Sequence, residues 1–168
     1  MIVLGIDPGY ATVGVAIIEQ KNNKVLSLLH KAIITKAHLP LSTRCLNIVN
    51  ELSELIKKYK PTMVGIESLF FSNNSKTAID VAQARGAIIL CCEQHGVTPI
   101  NFTPLQVKVS ICGYGSAKKD QVQRMVKKVF NLEKIPKPDD VADALAIAFC
   151  AANTSKVQFL NKGFINLK

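Results

Sequence analysis

The sequence lacks any uninterrupted apolar stretch of the length needed to cross a lipid bilayer. Its opening residues contain neither the basic segment nor the small-residue cleavage site of a secretory signal. Only 7 of the 168 residues are proline and 48% are hydrophobic, a composition that argues against global disorder. We therefore expect a cytoplasmic protein with one packed core, rather than a secreted, membrane-spanning or disordered chain.

Paired cysteine motifs are also missing. The cysteines number 5, which is odd, and no two have C-x-x-C spacing, so a zinc site and a disulfide framework are both disfavoured. We expect reduced, mostly buried thiols at Cys45, Cys91, Cys92, Cys112 and Cys150. The three histidines belong to no motif and are expected to be ordinary structural or surface residues.

Acidic residues are scarce relative to basic ones. The chain has 12 acidic and 21 basic residues, for a net charge of +9. Such a charge favours a polyanionic partner, because each phosphate that is neutralised releases a counterion. Much of the excess lies between Lys108 and Lys128, where Asp120 is the only acid. A solvated helix face would give the same pattern, so charge favours nucleic acid without excluding that alternative.

The spacing of apolar residues predicts alternating strands and helices. Three apolar runs separated by turn signals predict an antiparallel meander at residues 2–6, 13–19 and 25–34. The pattern then predicts a helix, a strand, a helix and a strand, at residues 43–59, 63–66, 76–93 and 98–102. Pro104 begins a short helix, Ser116 is the expected N-cap of a helix to about residue 130, and a buried helix follows at 140–152. This order predicts an α/β fold, a mixed five-stranded sheet with helices on its faces.

Four acidic residues lie at the edges of these apolar elements, where a charge is costly unless it is paired. Asp7 and Glu67 each end a strand, and two strands of one sheet can bring them to the same edge. Asp140 and Asp143 begin the most apolar helix, and their i, i+3 spacing places them on one helix face. Four converging carboxylates need cations, and oxygen-only ligands select magnesium or manganese. Two ions about 3.5–4 Å apart are the usual means of hydrolysing a phosphodiester.

Each of these acids also has an ordinary explanation when taken alone. Asp7 could start a turn before Pro8, and Glu67 could be a paired surface acid. Asp140 could be a first-turn acid favoured by the helix dipole, with Asp139 as N-cap. The coincidence of four such acids favours a metal site.

Several short segments occur in an informative order. They are GIDPG at 5–9 with GVA at 14–16, IESLF at 66–70, QARG at 83–86, GYGSAKKDQV at 113–122 and DVADALAIA at 140–148. Together they resemble the motifs of the RuvC family of bacterial Holliday-junction resolvases, and the match extends to about residue 152. A GIDPG segment alone would be weak evidence, because sugar kinases and other actin-like ATPases share it.

The resemblance implies a ribonuclease H-like fold and a homodimer that makes magnesium-dependent paired nicks across a four-way DNA junction. Asp7, Glu67, Asp140 and Asp143 match the family's catalytic, metal-binding acids. Two Mg²⁺ ions per site are expected, with Mn²⁺ as a substitute, and a RuvA–RuvB branch-migration complex is an expected partner. The helix around residues 78–89 matches the family's dimer interface.

Three further residues match DNA-contacting positions of the family. Phe70 matches an aromatic residue that stacks at the crossover, although core packing is the alternative and Phe71 competes for the role. Lys108 and Lys119 match basic residues near the scissile phosphate, and Lys118 is a competing candidate for the second position.

Two features depart from the family pattern. The Asp139-Asp140 doublet leaves open which neighbour binds metal, and the D-x-x-D spacing to Asp143 favours Asp140. Residues 155–168 lie outside the resemblance, so we take 1–154 as one nuclease domain and 155–168 as a basic tail.

Three other functions remain open at this point. An actin-like ATPase or kinase fragment would use the turn after Asp7 for phosphate, but such enzymes need two domains of this kind. A ribonuclease H-type enzyme would prefer RNA–DNA hybrids. A non-catalytic junction-binding module would gain from losing the acids, because they repel phosphates.

Overall fold

The computed structural model describes residues 1–22, 24–69 and 75–165. In this part of the chain the strands are β1 (Ile2–Asp7), β2 (Thr12–Lys21), β3 (Lys24–Ile34), β4 (Met63–Glu67) and β5 (Pro99–Phe102). The helices are α1 (Leu41–Tyr59), α2 (Ser75–Gln94), α3 (Pro104–Cys112), α4 (Lys119–Val129) and α5 (Asp139–Ile165). The predicted order of strands and helices is confirmed.

The strands form one mixed sheet in the order β3-β2-β1-β4-β5. The first three strands make the predicted antiparallel meander. The last two run parallel to β1, with Ile6 beside Ile66 and Glu67 beside Phe102. Because β1 and β4 are parallel neighbours, their carboxyl ends lie at the same edge of the sheet.

Helices cover both faces of this sheet, as predicted. Along β1, Val3 belongs to the core beneath α3, α4 and α5, whereas Leu4 and Ile6 belong to the core beneath α1 and α2. This alternation follows from the two-residue period of a strand. Residues 5 and 7 of β1 therefore face α5.

Three glycines let α5 lie directly on the sheet. A Cβ atom at Gly5 would be 2.2 Å from the carbonyl oxygen of Ala144, and one at Gly14 would be 1.9 Å from that of Asp140. Gly65, which pairs with Gly5, faces Ala151 at 3.0 Å. Any larger residue at these positions would push the helix outward. The glycines thus set the height of α5 above the ends of β1 and β4.

Two predicted helix boundaries were wrong. α4 has Lys118 rather than Ser116 as its N-cap, because the Gln121 side chain accepts a hydrogen bond from the Lys118 backbone N–H at 2.7 Å. α5 continues to Ile165 instead of ending at residue 152. No proline lies between residues 152 and 165, and the Thr154 hydroxyl donates to the Cys150 carbonyl within the helix at 3.0 Å. The separation of 155–168 as a tail stays a prediction.

Two expectations drawn from what the sequence lacks agree with the structure. Among the described residues, no helix has both the length and the hydropathy of a membrane span. All five cysteines are free thiols, and Cys91, Cys92 and Cys150 are buried.

Candidate active site

Asp7 and Glu67 meet at one edge of the sheet. Asp7 is the last residue of β1 and Glu67 is the last residue of β4, and these strands pair in parallel through Ile6 and Ile66. Both side chains point to the face that carries α5, because Ile6 and Ile66 are buried on the opposite face. The two carboxylates predicted from strand ends are therefore brought together.

The first turns of α5 bring the other two acids to the same place. Gly14 pairs with Asp7 across the β1–β2 ladder, and the backbone of Asp140 passes directly over Gly14. Asp143 follows one turn later and lines the same cleft as Glu67. All four sequence-predicted acids thus converge, and the spacing of Asp140 and Asp143 has the expected consequence.

The pKa values of these carboxylates record their convergence. Burial raises the pKa of Asp7 to about 8, and the charges of Glu67, Asp143 and Asp140 act in the same direction. Burial and Asp143 raise the pKa of Glu67 to about 7. Burial also raises the pKa of Asp143. The cluster carries more negative charge than the fold alone compensates, which is typical of carboxylates that hold cations.

Two lysines supply positive charge to this cluster. Lys119 Nζ lies 3.7 Å from Asp143 and 3.3 Å from Asp139. Burial opposes the charge on Lys119, but these carboxylates outweigh it and raise the pKa of the ammonium group. Lys108 lowers the pKa of Glu67 from the other side of the cleft. Both lysines predicted to lie near the scissile phosphate are therefore at the site.

Two of the four acids and both lysines line a cleft of about 220 Å³. Its polar rim is formed by Glu67, Asp143, Lys108 and Lys119, and its apolar wall by Pro104, Val107, Val122 and Ile147. Lys118 does not line it and stands at the exposed start of α4. This geometry favours Lys119 over Lys118 for the second basic position.

The two members of the Asp139-Asp140 doublet have different surroundings. Asp139 accepts a hydrogen bond from Lys137 Nζ at 2.7 Å and faces Lys119, and these lysines hold its pKa below the usual range. Asp140, in contrast, is among the charges that raise the pKa of Asp7. Asp139 is thus already paired with two lysines, and this arrangement favours Asp140 as the ligand. Lys137 could not be predicted as a site residue, because a lysine in a Pro- and Lys-rich loop belongs to no motif.

The chemistry of the donor set fits a hard divalent ion, because all four acids offer carboxylate oxygens only. Within the described residues, no three His, Cys, Asp or Glu side chains are arranged so that they could hold an ion as they stand. The ammonium group of Lys119 forms an ion pair with Asp143 at this site. The charges of Glu67, Asp143 and Asp140 raise the pKa of Asp7, and a cation among these carboxylates would offset that repulsion. Phe70 and Phe71, the two aromatic candidates, lie outside the described residues.

Comparison with known proteins agrees with this arrangement. A family model described as "Crossover junction endodeoxyribonuclease RuvC" matches residues 3–151. The chain belongs to the RuvC family. A RuvC from Clostridioides difficile is 49% identical over 158 residues, which are 94% of each chain. A RuvC from Caldicellulosiruptor saccharolyticus is 53% identical over 151 residues, covering 89% of this chain and 91% of the relative.

Solved RuvC structures have the same fold. Thermus thermophilus RuvC superposes with a TM-score of 0.86 at 32% identity, covering 94% of this chain and 97% of that one. The same protein in complex with a Holliday junction substrate gives a TM-score of 0.85 at 28% identity, over 94% and 96% of the two chains. The yeast mitochondrial Holliday junction resolvase Ydc2, at 16% identity and a TM-score of 0.64, shares the fold. The ribonuclease H-like fold expected from the motifs is confirmed.

Proposed function

We propose that this protein resolves four-way DNA junctions in recombination and repair, by metal-dependent hydrolysis of one phosphodiester per subunit. The observation that carries the proposal is the convergence of Asp7, Glu67, Asp140 and Asp143 beside a lysine-rimmed cleft in a chain of the RuvC family. Nicked products with 5′-phosphate and 3′-hydroxyl ends follow from the proposed reaction.

The four acids are the proposed metal ligands, and Mg²⁺ is the proposed ion, with Mn²⁺ as a substitute. Two bound ions would supply activation of the attacking water and compensation of the charge on the leaving 3′-oxygen. The raised pKa values of Asp7 and Glu67 support this role, because ion binding favours the ionised carboxylates over the protonated ones.

Lys108 and Lys119 are proposed to bind the phosphate that is cut. Lys119 now faces Asp143 and Asp139. With Asp143 holding a metal ion, the ammonium group of Lys119 would lose one of its two carboxylate partners and could donate to a phosphate oxygen in the same cleft.

The symmetry of the product requires two active sites. We propose a homodimer through α2, where Ile79 and Leu90 are 66% and 59% exposed and a Cβ atom at Gly86 would meet nothing within 4 Å. A two-fold dimer matches a two-fold junction, so that both cuts fall symmetrically.

Phe70 is proposed to stack at the crossover. A RuvA–RuvB-type complex is the proposed partner, and the cytoplasm, with the DNA, is the proposed location.

A synthetic four-way junction with Mg²⁺ tests the proposal directly. The wild type is compared with Asp7→Asn, on the junction, a linear duplex of the same sequence and an RNA–DNA hybrid. We expect symmetric paired nicks in the junction by the wild type, and binding without cutting by Asp7→Asn. Preference for the hybrid would assign a ribonuclease H-type activity, and tight binding without cutting by either protein would leave a junction-binding module.

A further inference from the structure

The guanidinium group of Arg85 ties α2 to the ends of two neighbouring strands. Its Nε donates a hydrogen bond to the backbone carbonyl oxygen of Glu67 at 3.1 Å. Its Nη2 donates to Oδ1 of Asn101, which lies on β5 beside Ile66. Arg85 is partly buried, and this burial lowers the pKa of its guanidinium group. The guanidinium group of Arg85 is thus partly desolvated at the carboxyl end of β4.

The peptide unit between Glu67 and Ser68 is held at both of its polar ends. Arg85 binds its carbonyl oxygen, and the Ser68 N–H donates to the Phe102 carbonyl oxygen at 2.8 Å. With both ends fixed, the peptide plane cannot rotate, and the direction in which the Glu67 side chain leaves the backbone is set. The carboxyl end of β4 is therefore held both by α2, through Arg85, and by β5, through the Phe102 carbonyl oxygen.

Arg85 contacts Glu67 from the face opposite the cleft. Ile66 is buried beneath α1 and α2, so the next side chain, that of Glu67, points to the face that carries α5. Lys119 and Lys108 lower the pKa of the Glu67 carboxyl from that face. Arg85 reaches the backbone rather than the carboxylate, so its effect on the cleft passes through Glu67.

We propose that Arg85, oriented by Asn101, is a positioning residue that holds the Glu67 carboxylate where it joins Asp7 and Asp143 in binding divalent metal. The proposal rests on the function proposed above insofar as Glu67 is a metal ligand. Lysine cannot replace arginine in this role, because a single ammonium group lacks the planar fork that reaches two acceptors in fixed directions. Partners that orient metal ligands in this way commonly change metal affinity when they are removed.

Mn²⁺ binding to the whole chain, without DNA, is the first test. Calorimetric titration and the metal-induced rise in Tm are compared for the wild type, Arg85→Lys, Asn101→Leu and Asn101→Asp. We expect Arg85→Lys to weaken Mn²⁺ binding by roughly 10–100-fold. Asn101→Leu should weaken it less, and Asn101→Asp should stay near the wild type, because its carboxylate still accepts from the guanidinium. Arg124→Lys, which changes an exposed arginine that faces only Asp120 in an ion pair, is the matched control and should be unchanged.

Junction cutting and junction binding are then measured separately. With Mg²⁺, kcat should fall for Arg85→Lys, whereas the junction Kd in EDTA should stay within about twofold of the wild type. A folded Arg85→Lys protein with lower Tm but unchanged Mn²⁺ affinity and kcat would reduce Arg85 to a structural role and overturn the proposal. If Arg85→Lys does not fold, Asn101→Leu decides the question, because it removes only the orienting contact. A wild type that binds Mn²⁺ but cuts no junction would overturn the proposed function, and the titration would still decide the role of Arg85.

Discussion

Asp7 is held in surroundings that oppose its negative charge from several directions. Burial and the carboxylates of Glu67, Asp143 and Asp140 all raise its pKa, and only Lys119 acts against them. In the unfolded chain the same carboxyl ionises near its ordinary value of 3.8. A group whose pKa is raised on folding stabilises the fold below its unfolded pKa, and that stability is lost as the pH rises through the folded value.

Replacement of Asp7 should therefore stabilise the metal-free protein in a pH-dependent way. Between about pH 4 and pH 8 the wild type in EDTA should lose stability, and Asp7→Asn should lose less. At pH 8 we expect the Tm of Asp7→Asn to exceed that of the wild type by roughly 3 °C or more, as about 1 kcal/mol shifts Tm by 2–4 °C at this size. Mg²⁺ should reverse the order, because only the wild type keeps the full ligand set. If the Tm profiles of the wild type and Asp7→Asn ran parallel from pH 5 to pH 8.5, folding would not raise the pKa of Asp7.

Replacement of Lys119 and replacement of its neighbour Lys118 should have clearly different effects on the rate of cutting. Lys119 lines the cleft and faces Asp143, whereas Lys118 is at the exposed start of α4. We expect Lys119→Ala to reduce the rate of cutting strongly and to lower the salt dependence of junction binding by about one counterion. Lys118→Ala should leave the rate of cutting near that of the wild type. Equal loss in both variants, measured under single-turnover conditions, would contradict the assignment of Lys119.

The sequence predicts individual residues well where each carries a local signal. Asp7 and Glu67 stand out because a charge at the end of an apolar strand needs an explanation. The local sequence pattern did not show which of Asp139 and Asp140 binds metal, because they are neighbours at the same helix start. In the structure Asp139 bonds to Lys137, whereas the charge of Asp140 raises the pKa of Asp7. The QARG motif includes Arg85, but no local pattern predicts its contact, because the acceptor is a backbone oxygen at the end of another element, β4.

At the scale of secondary structure elements, the contact between α5 and the sheet sets the geometry of the site. The helix was predicted from its apolar composition, and its face toward the sheet followed from the two acids. Its distance from the sheet could not be predicted, because it depends on Gly5 and Gly65, which pair across β1 and β4, and on Gly14, which pairs with Asp7. The glycines belong to recognisable motifs, yet their steric role appears only when the strands are aligned.

A single methyl group at position 14 should disturb this contact. In Gly14→Ala the new Cβ atom would lie 1.9 Å from the Asp140 carbonyl oxygen, so the start of α5 must move. We expect a loss of about 1–3 kcal/mol in the free energy of unfolding, and weaker Mg²⁺ binding because Asp140 moves away from Asp7. Gly86→Ala is the control for the contact with the sheet, since nothing in the same subunit lies within 4 Å of its added methyl group, and it should leave Mg²⁺ binding unchanged. Chemical denaturation and metal titration of both variants test the difference, and a Gly14→Ala protein with wild-type metal affinity would refute it.

At the scale of the whole molecule, the proposed function assigns one cut to each subunit of a dimer. The resemblance to the family implied a dimer interface at α2, although packing on the sheet would have used the small residues of this helix equally well. The structure leaves Ile79 and Leu90 largely exposed on this helix, whereas Ala84 and Ile88 face the core. The side of α2 that is free for a partner is therefore identified by burial, which the weak apolar periodicity of the helix could not provide.

A charge introduced on the exposed side of α2 should weaken the dimer, so that the two strands of the junction are no longer cut together. We expect Ile79→Lys and Leu90→Lys each to weaken dimerisation by about 2 kcal/mol, or roughly thirtyfold in Kd, if the residue lies at the centre of the interface. Leu46→Lys, at a residue that is 57% exposed on α1, is the control and should leave the dimer intact. Analytical ultracentrifugation measures the association, and a cruciform plasmid distinguishes paired cuts, which linearise it, from single nicks, which only relax it. The α2 variants should produce mainly relaxed plasmid, because one bound subunit leaves the junction before a second one cuts. Linear product at the wild-type ratio from a monomeric variant would show that symmetry of the cuts does not depend on this surface.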